Sequence, residues 1–270
     1  MNVQYFKDKV IVVTGASSGI GLASARLFGS CGAKVVMAAR SYEKLQELAP
    51  SVSPDPAKVL CVKTDVTSED DCRALMESTV EKFGRIDILV NNAGLSMRAM
   101  FKDLDLSVIH KLMDVNFWGT VNCTKYALPY LLESKGSVVG VISIAGYSAL
   151  PARTGYSASK YAIRGFLDTL RIEHFKDGLN VLVYAPGYVS SNVRNAALTA
   201  DGSAQGETPL DEDKRDPLAF NWFYESRKSD VPELIPLPSE FYGRYKEGLQ
   251  TPSGKFEFEA QTLKRFDPND

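Results

Sequence analysis

The sequence predicts an α/β protein built on a doubly wound parallel sheet, with helices on both faces. Three observations carry that expectation. Short apolar, β-branched runs alternate with stretches of helical spacing. The apolar runs are continuous rather than alternating, as strands covered on both sides require. Finally, the residues with the most evident chemistry, Gly15, Asp65, Asn92, Ser143 and Pro186, each fall just after such a run, and ligands of open α/β sheets bind beyond the carboxyl ends of the strands.

The elements follow in order. Lys9 to Gly15 reads as a buried strand ending in a turn residue, and Ser17 to Cys31 as a helix with Ile20, Ala23, Leu27 and Phe28 on its apolar face. Ala33 to Ala39 is a second strand and Tyr42 to Leu48 a short helix; prolines at 50, 54 and 56 then mark a loop. Val59 to Thr64 is a third strand. Ser68 caps the next helix, whose first turn is acidic and which ends near Gly84. Ile86 to Val90 is a fourth strand, and Leu106 to Leu132 a long helical pattern. The Ser137–Ile142 run, a helix from Tyr156 to about Lys176, and the Asn180–Tyr184 run complete the pattern. Six strands fit the Rossmann-like, dinucleotide-binding order.

Composition narrows the functional classes. A chain of 270 residues, 44% hydrophobic, buries a sizeable core, and a net charge of -2 gives no electrostatic case for nucleic acid or an anionic membrane. The four cysteines, Cys31, Cys61, Cys72 and Cys123, form no C-x-x-C pair, so neither a metal site nor a disulfide framework is expected and a reducing compartment is the default. The N-terminus lacks an apolar signal core and no run approaches membrane-spanning length, which reads as cytoplasmic.

The glycine-rich turn Thr14-Gly-Ala-Ser-Ser-Gly-Ile-Gly21 sits between a strand and a helix. Gly15 permits a tight turn, Gly19 a close approach of backbone to a pyrophosphate, and Gly21 close packing of helix on sheet; the helix N-terminus faces the phosphates. At the end of the second strand, where an NAD site would place an acid, the sequence reads Met37-Ala-Ala-Arg40. Arg40 can pair with a 2′-phosphate, which favours NADP(H) over NAD(H); a solvated arginine at a helix start is the bland alternative. Ser17 and Ser41 can add hydroxyl contacts. Asp65 is an acceptor for an adenine amino group, the cap of a turn, or both. Asn91-Asn92-Ala93-Gly94 offers small residues against a flat ring or ribose. Asn116 falls inside a helical pattern, where asparagine is disfavoured, as a satisfied core residue or as a kink holding a water beside Lys160.

The stretch from Ser143 to Lys160 is the reactive half. Ser143 ends a strand, while Tyr156 and Lys160 lie four apart at a helix start, on one face. A nearby cation lowers a tyrosine pKa and a serine hydroxyl holds a substrate oxygen, so the set suits acid–base chemistry.

Together, Thr14-Gly-x3-Gly-x-Gly, Asn91-Asn-Ala-Gly, Asn116, Ser143, Tyr156-x3-Lys160 and Pro186-Gly187 resemble the classical short-chain dehydrogenase/reductase (SDR) family over about residues 7–213. The resemblance implies NAD(P)-dependent interconversion of a carbonyl compound and a secondary alcohol. Tyr156 would be the acid/base and Lys160 would lower its pKa and bind the nicotinamide ribose. Ser143 would orient the substrate oxygen and Asn116 support a proton-relay water. Cofactor contacts would come from Gly15, Ser17, Ser18, Gly19, Ile20, Gly21, Arg40, Asp65, Val66, Asn92, Ala93 and Gly94, with Pro186, Gly187 and Val189 on the nicotinamide side. A homodimer through the 106–132 and 156–176 helices is also implied; Ala158, Ser159 and Ala162 would allow close packing, with Trp118 and Tyr126 on the other helix. The substrate pocket, flanked by Tyr147, Leu150, Ala152, Val189 and Val193, suggests a small apolar carbonyl or alcohol substrate.

Two rival readings differ in class. Gly15-Ala-Ser17-Ser-Gly19 also matches a nucleophile elbow, which would make Ser17 a serine hydrolase nucleophile; the two histidines, His110 and His174, are poorly placed to serve it. The other rival is a weakly active or inactive dinucleotide-binding scaffold. It gains weight only from the altered C-terminus. Residues 1–214 read as the dinucleotide-binding domain, and for the polar, small-residue stretch Val189 to Lys214 the resemblance implies a mobile lid over the substrate. Arg215 to Asp270 is an aromatic, proline-rich arm without a strong last strand. Residues 216–266, with Thr251-Pro-Ser-Gly-Lys255, resemble a fragment of the C-terminal region of molybdopterin oxidoreductases, a piece too short to imply molybdenum.

Overall fold

The computed structural model describes residues 3–187, 189 and 196–206. Six parallel strands, β1 (Val10–Thr14), β2 (Lys34–Ala39), β3 (Val59–Lys63), β4 (Ile88–Asn91), β5 (Ser137–Val141) and β6 (Asn180–Tyr184), form one sheet in the order β3-β2-β1-β4-β5-β6. This is the doubly wound order, reversing direction at β1 and β4. Val13 pairs with Met37 on one side and Val90 on the other, so the ends of β1, β2 and β4 are level.

The continuous apolar runs divide strictly between two faces. Val12, Val36, Leu89 and Val138 pack with Leu75, Met76, Leu131, Ile163 and Leu167. These come from α3 (Glu69–Phe83), α5 (Gly119–Glu133) and α6 (Thr154–Glu173). Ile11, Val13, Val35, Met37, Ile88 and Val90 pack on the opposite face with Ala25 of α1 (Gly19–Ser30) and Leu45 of α2 (Tyr42–Leu48). Fully burying each large aliphatic side chain stabilises the fold by about 1.5–3 kcal/mol. Asp87 draws the strand starts together. Its carboxylate accepts from the Val10 N–H (2.9 Å), Lys9 Nζ (3.0 Å) and Arg85 Nη2 (2.6 Å), and its carbonyl accepts from the Ser137 N–H. Burial pushes that carboxyl up, but the Val10 N–H and the two cations outweigh it and hold it below the usual range.

The helix signals hold. Ser68 Oγ accepts from the Asp71 N–H (3.2 Å), Glu69, Asp70 and Asp71 fill the first turn of α3, and Gly84 ends it in the left-handed region (φ 77°). The proline-marked loop instead contains two short 3-10 turns, Ala49–Ser51 and Pro56–Lys58, because proline preset to φ near -65° starts such turns readily. The pattern from Leu106 to Leu132 is not one regular helix. It runs as α4 (Leu106–Leu112), a π-helical turn Met113–Trp118, and α5; apolar periodicity does not register one extra residue in a turn.

Within the expected lid, residues 196–206 contain two buried apolar residues, Ala197 and Leu198. Leu198 is buried against Met97, Leu104, Val108 and Leu112, and its backbone bonds to Ser96 and Arg98. The Asp201 carboxylate accepts from Thr199 and Ser203, which bring it down to about 2. Small polar residues here build a turn beside these two apolar residues. Val193, the rest of the lid, the boundary near 214 and the arm 215–270, with its 216–266 resemblance, lie outside the described residues. Among the described residues no helix is long and apolar enough to cross a membrane.

Candidate active site

The glycine turn is lashed to the end of β4. Thr14 Oγ1 accepts from the Asn92 and Ala93 N–H groups (both 3.0 Å) and donates to the Val90 carbonyl. Asn92 Nδ2 donates to the carbonyls of Thr14 (2.9 Å) and Gly15 (3.2 Å). Gly15 (φ 65°) and Gly19 (φ 53°) take left-handed backbone that an L side chain resists. A Cβ on Gly21 would stand 2.3 Å from the Gly15 carbonyl oxygen, so α1 rests directly on the turn. Ser18 precedes α1 with no side-chain cap, and Ser17 and Ile20 are partly exposed beside it.

Beyond the ends of β2 and β3 a cavity of about 440 Å³ is lined by Arg40, Asp65, Thr67, Leu95, Ser107, His110, Lys111, Asp114 and Val115. Asp65 does cap a turn, accepting from Thr67 N–H (3.0 Å) and Oγ1 (2.8 Å). Burial raises its pKa, yet the Thr67 donors and the Arg40 charge outweigh that and leave it lowered. Val66 is buried behind it, with its carbonyl accepting from Cys72 and Asn122. The sequence points to Arg40 and Asp65 but not to the other side of this cavity, His110 and Lys111 of α4 with Asp114 and Val115 of the π turn. Their polar spacing reads as a solvated helix face until the fold brings α4 over the β2 and β3 ends.

Ser143, Tyr156, Lys160 and Asn116 are brought together beyond β4 and β5. Ser143 precedes a 3-10 turn, Ile144–Gly146, with its Oγ accepting from the Ala145 N–H (3.2 Å). Tyr156 lies in the first turn of α6, and Lys160 one turn later places Nζ 5.8 Å from the Tyr156 ring centre. Lys160 is 4% exposed, donates to the Val141 carbonyl (3.0 Å), and is brought by burial to about 8. Asn116 sits in the π turn, wholly buried. Its Oδ1 accepts from the Leu95 N–H (2.7 Å), and its Nδ2 donates to the Leu95 carbonyl (3.0 Å) and Ser159 Oγ (2.9 Å). A Cβ on Gly94 would lie 3.1 Å from Asn116 Oδ1 and 3.4 Å from Lys160 Nζ, so Gly94 leaves bare backbone where the two meet. Pro186 accepts from the Ile144 N–H, and Gly187 and Val189 are exposed beyond it.

Two expectations need correction. Lys160 is not what lowers the Tyr156 pKa in this structure: burial raises it overall, and the opposing influences are the Ser143 hydroxyl and the Arg153 charge. Lys160 spends a donor on Val141 and, being buried itself, is a weakened cation. Ser159 is also not on the outer face of α6; it is buried and donates to the Tyr156 carbonyl, whereas Ala158 is exposed and Ala162 half-buried. Trp118 and Tyr161 are exposed, while Tyr126 donates to Glu69. In the expected pocket wall, Tyr147 is half-exposed under the Arg164 guanidinium (4.0 Å) and Ala152 takes left-handed backbone (φ 56°). Ser17 gains no hydrolase partner in His174, whose ring bonds to Asp177 near the far end of α6.

Comparison with known proteins gives one consistent result. The short chain dehydrogenase family profile matches residues 9–201. The chain is 39% identical over 213 residues to 11-beta-hydroxysteroid dehydrogenase A of Sesamum indicum, covering 77% of this chain and 59% of that one. It is 38% identical over 207 residues to dehydrogenase/reductase SDR family member 7B of Mus musculus, covering 75% and 64%. The chain thus spans less than two thirds of the length of these two curated relatives. Among solved structures, an alcohol dehydrogenase from the archaeon Thermococcus sibiricus, complexed with 5-hydroxy-NADP, superposes with a TM-score of 0.67 at 27% identity, covering 75% of this chain and 83% of that one.

Proposed function

The chain belongs to the short-chain dehydrogenase family, and on that premise we propose that it is an NADP(H)-dependent oxidoreductase interconverting a small apolar carbonyl compound and a secondary alcohol. The observation that carries this reading is the convergence of Ser143, Tyr156 and Lys160 beyond the sheet, beside a glycine turn whose backbone is left bare.

The residues present fit a dinucleotide. Gly15 and Gly19 hold left-handed backbone at the start of α1, where N–H groups face an anion, and Gly94 keeps side-chain bulk away from Lys160 and Asn116. Gly15, Ser17, Ser18, Gly19, Ile20 and Gly21 would hold the pyrophosphate side; Arg40, Asp65 and Val66 the adenosine; Asn92, Ala93, Gly94, Tyr156, Lys160, Pro186, Gly187 and Val189 the nicotinamide side. The bound nicotinamide supplies the hydride in reduction and accepts it in oxidation. Ser143 donates to the substrate oxygen and orients it. Tyr156 gives that oxygen its proton in reduction and takes it back in oxidation. Lys160, still largely protonated at neutral pH with a pKa of about 8, would hold a ribose hydroxyl. Asn116 fixes the Leu95 backbone and the π turn, and supports a water that relays the proton. The exposed faces around Trp118, Ala158 and Tyr161 are the surfaces through which we expect a homodimer to form.

Phosphate preference rests on Arg40. No carboxylate ends β2, and Arg40 borders the same cavity as Asp65. Arg40→Asp is expected to weaken NADPH binding about tenfold or more, the loss of one charge-assisted hydrogen bond plus a new repulsion, while leaving NADH nearly unaffected. Fluorescence titration with both reduced cofactors checks this; equal losses for both would remove Arg40 from phosphate recognition.

The reading itself is tested by NADPH oxidation with a panel of ketones and aldehydes. The name of the sesame relative makes a ketosteroid one member of that panel. NADPH binding without turnover across the panel would favour the dinucleotide-binding scaffold instead.

A further inference from the structure

Arg153 stands immediately before α6, three residues ahead of Tyr156, and sequence reasoning gave it no role. Its Nη1 donates to Ser96 Oγ (2.6 Å) and to the Met97 carbonyl. Both belong to the segment that leaves β4 after Gly94. The same segment is held to the approach of α6 at a second point, where the Ala99 N–H donates to the Ala152 carbonyl (3.1 Å). Met97 is wholly buried, and its Sδ would lie 3.2 Å from a Cβ on Gly155, the residue before Tyr156. On its other side Met97 bridges to Leu198, so the 196–206 turn hangs on the same segment. The guanidinium is therefore built into a junction of three chain segments, and the Tyr156 ring packs in that junction's apolar cluster.

We propose that Arg153 is a positioning residue for Tyr156: anchored on Ser96 and Met97, it locks the first turn of α6 against the segment after β4 and keeps a fixed cation beside the phenol. Among the described residues, the groups facing the phenol are these. The cluster around the ring is apolar, made of Leu95, Met97, Val108, Leu112 and their neighbours from the β4 segment and α4. Ser143 faces it from the turn after β5, and Lys160 from α6 itself. Arg153 is the charge that offsets part of the burial penalty on the phenolate. This inference rests on the acid/base assignment of Tyr156, but its test needs neither cofactor nor substrate.

The test is a stopped-flow pH-jump titration of the full chain, reading phenolate absorbance before any unfolding, with Tyr156→Phe subtracted to isolate the one phenol. In Arg153→Ala the Tyr156 midpoint is expected to rise by about one pH unit. Arg153→Gln, which keeps a donor for the Met97 carbonyl, is expected to rise similarly, and Arg153→Lys to recover most of the shift. Ser96→Ala, which frees one anchor but keeps the charge, should move the midpoint less and in the same direction. An unmoved midpoint in folded Arg153→Ala or Arg153→Gln overturns the proposal, as does a lysine variant that behaves like alanine. Because the readout is the proton on Tyr156, its failure is separable from failure of the NADPH oxidation assay.

Discussion

Tyr156→Phe is expected to lower kcat for carbonyl reduction by about a hundred- to ten-thousandfold, the range that a positioned general acid contributes. Its Kd for NADPH should change by less than about twofold, because only a hydroxyl is removed and the ring that fills the cluster around Met97, Val108 and Leu112 remains. The phenol is the group at the end of the sheet with a proton to give and a neighbouring hydroxyl, Ser143, to share the substrate oxygen. Burial alone keeps that proton on, which suits an acid in reduction. Oxidation needs the phenolate and must gain it from positive charge nearby, so the oxidative rate should climb with pH while the reductive rate falls through the same midpoint. Steady-state kinetics in both directions, with NADPH titration of the variant, separates chemistry from binding. Retained turnover in the phenylalanine variant would remove Tyr156 from the mechanism.

Where the sequence was most legible, local chemistry and global fold agreed. Gly15, Gly19 and Gly21 fall where a left-handed turn and a close helix leave no room for Cβ, so the motif and the backbone say the same thing. The β1, β2 and β4 runs are buried on both faces, and continuous apolar composition reports that directly. Other features depend on which distant segments meet. His110 and Lys111 look solvated on their own helix and border the Arg40 cavity only because α4 is carried over the sheet end. Arg153 has an unremarkable sequence setting; its meaning comes from Ser96, 57 positions away in the chain. The net effect on Tyr156 is hidden from the sequence for a related reason, since spacing shows which charges share a face but not how deeply the phenol is buried. In the polar 196–206 stretch Ala197 and Leu198 are buried, and the partners of Leu198 come from elsewhere.

Asn116→Ala is expected to destabilise the fold by about 3–5 kcal/mol, one of the larger losses available to a single polar side chain. Asn116 is wholly buried, and its amide satisfies both the N–H and the carbonyl of Leu95. Alanine leaves that pair of part-buried backbone groups without their side-chain partner, at up to about 1–3 kcal/mol each, and opens a small cavity besides. Ser159 suffers less, because its hydroxyl still donates to the Tyr156 carbonyl. The π turn adds to the effect: it exists at the position where Asn116 turns inward, and its carbonyl accepts from Thr120 Oγ1 (2.8 Å). Asn116→Leu separates the two causes, since it refills volume without restoring a single hydrogen bond; most of the loss should persist. Urea unfolding of both variants gives the stability, and NADPH titration gives the coupling. Leu95 lines the Arg40 cavity, so freeing its backbone should weaken cofactor binding as well as the fold. A leucine variant as stable as the parent would mean that the amide is dispensable to the fold and that Asn116 is retained for chemistry alone.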